Sequence, residues 1–189
     1  MSSTQKAKTP ILSAIILAVA AIYNLYQLFT ETYVSVYYTA EDKSIISIGF
    51  KDIFAQTTGF TTQFSQHAIN EPADFDSLFV EKAAFACALV GIILILIGIY
   101  SIIKKDNYTL STTGLMLTTV SFAILWFIVH QVQSTFEEQV GTLELFFGSF
   151  YHFHSSAMNI MIVNIILGIA LFIVYMIQRN SNKGEQNNE

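Results

Sequence analysis

The side chains best suited to chemistry in this sequence are four histidines, His67, His130, His152 and His154. In Tyr151-His-Phe-His154 the two imidazoles are two residues apart. An extended backbone puts such a pair on one side, whereas a helix turns it to nearly opposite sides. If Ser155 or Ser156 caps a following helix, the pair lies in a non-helical lead-in. It could then hold zinc or copper jointly with His130, with Glu137 or Glu138 completing the site. The competing reading leaves all of these histidines at the bilayer surface with their polar tips among the headgroups. A lone His-x-His is a weak pattern beside a recognised zinc spacing, so His130, His152 and His154 are candidate metal ligands only. His67 sits in a separate segment.

Other chemistry is sparsely represented. There is no Gly-x-Ser-x-Gly, phosphate-binding glycine loop, dinucleotide fingerprint or His-Glu-x-x-His, which points away from the soluble enzyme classes that use them. The one cysteine, Cys87, lies inside an apolar run and has no second thiol to pair with. No basic patch suits nucleic acid. The deepest polar residues of the apolar runs are Asn24 and Gln27 near the start of the chain and Asn159 and Asn164 near its end. They suit interhelical hydrogen bonds, and an oligomeric channel would use the same groups to line a pore. No ionisable residue lies mid-run, which disfavours pumps and ion-coupled carriers.

The elements that must position these residues are set by composition. Hydrophobic residues make up 53% of the chain and charged ones 12%, about half the charged share usual in soluble domains. Four stretches approach the ~20 apolar residues needed to cross a bilayer, over 10–29, 83–103, 110–129 and 157–177. The second is the most apolar, with Ile92, Ile93, Leu94, Ile95, Leu96, Ile97 and Ile99 uninterrupted by charge. The third carries Thr112, Thr113, Thr118, Thr119 and Ser121, whose hydroxyls can bond back to helix carbonyls. Ala14, Ala18 and Ala21, with Ala84, Ala88, Gly91 and Gly98, read as small-residue packing seams.

Sidedness follows from the basic residues. Lys6, Lys8, Lys104, Lys105, Arg179 and Lys183 all fall on one side of a four-span arrangement. The positive-inside rule makes that side, and both chain ends, cytoplasmic. The outer segments, 31–82 and 130–156, hold three lysines against eleven acids. A cleaved signal peptide ending at Ala18-Val19-Ala20 is the rival reading of the first stretch. The apolar run continues through Phe29, however, a length closer to an anchor than to a signal core.

The outer segments are too long to be simple connectors. Val34, Val36 and Tyr38 alternate along one extended face, and Ala40-Glu-Asp-Lys43 reads as a turn before the β-rich Ser44–Phe50 segment. These predict a hairpin that must pack against the second outer segment, a partner chain or the bilayer. Thr57–Thr62 reads as irregular. Asp76 or Ser77 caps the second span, and Gly141 breaks the extension of the third. Phe146, Phe147, Phe150, Tyr151 and Phe153 suggest an aromatic belt or a docking surface.

The expected fold is therefore an all-α membrane protein, a four-transmembrane-helix bundle forming one domain over 1–189, with a β-hairpin in its first extracytoplasmic loop. This layout resembles that of claudin-like tetraspan proteins, by analogy of architecture only. Their loop tryptophan motif and paired loop cysteines are missing, since Trp126 and Cys87 both lie within spans, and architecture alone carries no function. The functional expectation is a non-enzymatic multi-pass protein of the cell membrane, an accessory subunit contacting another membrane protein or copies of itself. The alternatives are a metal-binding protein or oxidoreductase using the histidines, and an oligomeric channel.

Overall fold

A computed structural model describes residues 8–38, 44–68, 73–105, 107–147 and 151–186. Four of its helices are long and apolar enough to cross a membrane, as the composition requires. They are α1 (Lys8–Thr30), α3 (Leu78–Lys105), α4 (Thr109–Phe147) and α5 (Ala157–Gln186). Between α1 and α3 lie β1 (Thr32–Tyr38), β2 (Ser44–Gly49), a 3₁₀ turn at Phe50–Ala55 and a short helix, α2 (Phe60–Ala68). A third strand, β3 (Tyr151–His154), joins α4 to α5. The long helices run up, down, up and down in a ring, each packing on its neighbours in the order α1, α3, α4, α5.

The seam between α3 and α4 is the most extensive helix contact, and small residues make it possible. A methyl group on Gly91 would collide with Thr118 Oγ1 and lie 2.8 Å from the Gly114 carbonyl oxygen, and one on Gly98 would come within 2.5 Å of the Ser111 nitrogen. The hydroxyls of α4 are satisfied locally: Thr118 donates to Gly114 O (2.8 Å), Thr119 to Leu115 O (2.7 Å) and Ser121 to Leu117 O (2.8 Å). They therefore sit in an apolar environment without orphaned donors.

At the end of the helices away from Lys8, the described residues of the segments 31–82 and 130–156 fold together as one head. The hairpin is present, with β1 antiparallel to β2, and β3 adds antiparallel to the other side of β1, giving the order β2-β1-β3. Of the three supports open to the hairpin, the segment 130–156 thus supplies one directly, through β3. Val34, Val36, Ile46 and Ile48 are buried on the inner face; β2 alternates, with Ser47 exposed between two isoleucines, whereas the central strand β1 is buried on both faces from Tyr33 to Val36. The turn 40–43 lies outside the described residues.

Two local expectations are corrected. The stretch from Thr57 is irregular only as far as Gly59, after which α2 begins; its apolar anchors, Phe60 and Phe64, are one helical turn apart and both buried. Gly141 does not break α4, which runs 39 residues to Phe147. One glycine costs about 1 kcal/mol, and no proline follows to enforce a stop.

Candidate functional site

The histidines are placed by β3. Ser155 Oγ accepts the Ala157 N–H at 3.3 Å and donates to the Tyr33 carbonyl at 2.7 Å, so it starts α5 and ties it to β1. His152 and His154 consequently lie in an extended lead-in, opposite Tyr37 and Ser35, and both are exposed. Tyr151 and Phe153 point the other way. His130, on α4, stacks on Trp126 with ring centroids 5.1 Å apart and planes 7° from parallel. His130 and His154 line one small cavity of about 280 Å³ together with Gln133, Ser155 and Asn159.

His152 shares a strand face with His154 but does not line that cavity. Among the described residues no three His, Cys, Asp or Glu side chains stand together as a metal-holding group. Glu137 accepts a hydrogen bond from Gln133 at 2.7 Å, and Glu138 is exposed. His67, on α2, bonds through Nδ1 to the Gln63 carbonyl at 2.9 Å, within its own helix.

Tyr151 and Phe153 form part of a continuous aromatic core. Phe64 lies 5.0 Å from Phe153, 5.8 Å from Tyr151 and 5.4 Å from Phe136 of α4. Phe60 carries the chain on to Tyr33, which packs on Phe50, and Phe50 meets Phe122 edge-on at 5.4 Å. Each such pair adds about 0.5–1.5 kcal/mol beyond area burial, so this core joins the head rigidly to the helices. The expected belt is thus not built from Tyr151 and Phe153. Phe146 and Phe147 fall in the last turns of α4, and Phe150 lies outside the described residues. Among the described residues the exposed aromatics near this end include Tyr26 and Phe29 at the end of α1, Phe75 just before α3, Phe79 in its first turn and Phe127 of α4.

Beneath the sheet lies a buried polar knot, of which the sequence reading anticipates only the cap at Asp76, seen here accepting from Leu78 N. The N-termini of α2 and α3 face each other, and two acids satisfy their amides. Asp76 Oδ1 accepts from Gly59 N (2.6 Å) and Leu78 N (3.1 Å), while Glu81 Oε1 accepts from Phe60 N (3.0 Å) and from the Ser77 hydroxyl (2.5 Å). Carboxylates complement the positive ends of both helices. Gly59 is required by the close approach, since a Cβ there would stand 2.5 Å from both Asp76 Oδ1 and Ser77 Oγ. Glu81 is fully buried, and its Oε2 and the buried Tyr33 hydroxyl stand near each other without a well-aligned hydrogen bond to any described residue. Burial, and then the neighbouring Glu81 carboxylate, hold the Tyr33 phenol well above its ordinary value of 10.0. The only sequence signal for this knot is the acid-rich Asp74-Phe-Asp-Ser77 and Glu81 just ahead of an apolar run.

The chain matches no family profile, no curated protein and no solved structure. The site must therefore be read from its own geometry.

Inside the helix ring, Asn24 and Asn164 exchange two amide hydrogen bonds, at 2.8 and 2.9 Å, and Asn24 also donates to Ala20 O at 2.7 Å. Both side chains are buried, and their mutual bonds join α1 to α5. Gln27 is half-buried, and Asn159 is exposed beside the histidine cavity. At the opposite end Tyr108, in the turn between α3 and α4, donates to Gln178 of α5 at 2.6 Å and contacts Ser13 of α1 at 3.2 Å.

Proposed function

We propose that this is a non-enzymatic accessory or interaction subunit of the cell membrane, with cytoplasmic chain ends and an extracytoplasmic head that contacts another membrane protein or a second copy. The observation that carries the reading is the head itself: two separate loops are joined by β1–β3 pairing and fixed to the helices by the aromatic core. A connector needs no such rigidity, whereas a docking surface gains from being pre-organised, because less ordering is left for the moment of binding. The sheet ends in two edge strands, β2 and β3, and exposed Tyr37, Ser47, His152 and His154 lie along its outer face. Edge strands with alternating polar side chains suit addition of a partner strand. The fully buried intramembrane amides are engaged with each other, which favours a packing role for them over a pore.

The test is photo-crosslinking in native membranes from a reactive residue placed at Tyr37 or Ser47, with lipid-facing Ile22 as control. The expected result is a discrete protein adduct from the head positions alone. Absence of any adduct, with the purified chain monomeric, would overturn the reading. If zinc or copper then co-purified at a fixed ratio and was lost in His130→Ala and His154→Ala, the metal-binding alternative would take its place.

A further inference from the structure

Between α4 and α5, on the side of the chain ends, the helix ring is open. A groove of about 840 Å³ runs from the Asn107–Thr109 turn to Asn164. Its walls include Leu115, Met116, Ile165, Leu171 and Phe172. Gly168 forms part of the wall, and unlike the seam glycines it touches nothing closely: a Cβ there would meet only Leu115 Cδ2, at 3.5 Å. The absence of a side chain at this position leaves space rather than permitting helix contact.

We infer that this groove holds an acyl chain of one anionic phospholipid from the leaflet on the chain-end side, with its headgroup at the Asn107–Thr109 turn. Along α4 the groove runs from Thr109 to Val120, roughly 17 Å at about 1.5 Å per residue, a length that seats most of an extended acyl chain. Polarity sets its direction, because the mouth offers Asn107, Tyr108, Thr109 and Thr112 while the walls beyond are apolar. Charge sets the headgroup. Lys104 and Lys105 end α3 just before the mouth, and Arg179 follows Gln178, the residue that accepts the Tyr108 hydroxyl. Basic residues at a membrane surface attract anionic lipid.

Native mass spectrometry of the full chain, released from nanodiscs of equimolar phosphatidylglycerol and phosphatidylcholine, tests this. The expected result is one retained phosphatidylglycerol per chain, lost in Gly168→Phe and in Met116→Trp, kept in Gly168→Ala, and replaced by indiscriminate retention in Arg179→Gln. Two groove-filling variants from opposite walls guard against misfolding of either one. Retention of no lipid by the wild type, equal retention by both filled variants, or a dimer crosslinked through Met116 and Phe172 would each overturn the proposal. None of these outcomes depends on what the head binds.

Discussion

Tyr33 and Glu81 show how a single buried pair can be tolerated without being optimal. The Tyr33 ring is held between Phe50 and Phe60, so Tyr33→Ala should destabilise the fold by about 3–5 kcal/mol, as large aromatic truncations do. The hydroxyl, by contrast, stands beside Glu81 without a well-aligned hydrogen bond, so Tyr33→Phe should change thermal stability near pH 7 by less than about 1.5 kcal/mol. The same pair predicts a pH response. Because the folded phenol holds its proton above the ordinary value of 10.0, its stabilisation is intact below that pH and is lost as pH rises through the folded-state value. Tyr33→Phe should flatten the alkaline fall in melting temperature, and an unchanged alkaline limb would show that Tyr33 is not its source. Little of this was legible in the sequence, where Glu81 reads as a surface acid ahead of a span. Its burial arises when α2 folds onto the start of α3, a tertiary event with no local signature. The shared face of His152 and His154 was legible, because a two-residue spacing and a downstream serine cap are both local.

Among the elements, α3 and α4 carry the clearest link from composition to packing. Gly91 and Gly98 stand against Thr118, Gly114 and Ser111 with no room for a side chain, whereas Ile95 is fully buried in the same interface with its volume already accommodated. Gly91→Leu and Gly98→Leu should each lower the thermal midpoint in detergent sharply, with overpacking costs at or above about 1–3 kcal/mol, while Ile95→Leu should cost less than about 1.5 kcal/mol. Equal, small effects at all three positions would mean that the seam opens in solution. The spans, this seam and the hairpin were readable because each follows a period or a composition that one segment carries alone. β3 was not read as a strand of the same sheet, since four residues cannot declare a partner over a hundred positions away. The helix α2 was missed for a related reason: Phe60-Thr-Thr-Gln-Phe64 gives just two apolar anchors, and what makes them helical is the aromatic core they enter.

Taken whole, the molecule is polarised. The head with its acids stands at one end, while Lys8, Lys104, Lys105, Arg179 and Lys183 stand in the helix segments at the other. Among the described residues the head end holds only Lys51 and Lys82 against its acids, so most basic residues stand on the other side, the bias on which the proposed orientation rests through the positive-inside rule. Single cysteines at Ser47, on the exposed face of β2, at Ser134, on the exposed part of α4, and at Asn107, in the turn between α3 and α4, probe it directly, since all three positions are exposed. Native Cys87 must first be replaced by serine, as its side chain is also exposed. With the head outside, a membrane-impermeant maleimide applied to intact cells should label the Ser47 and Ser134 variants and leave the Asn107 variant unlabelled until the membrane is opened. The two outer positions come from separate loops that the sheet joins, so they must respond together. Labelling of Asn107 alone would invert the orientation and put the head in the cytoplasm. Labelling at Ser47 without Ser134 would break the pairing of the two loops, and the docking role built on that pairing would fall with it.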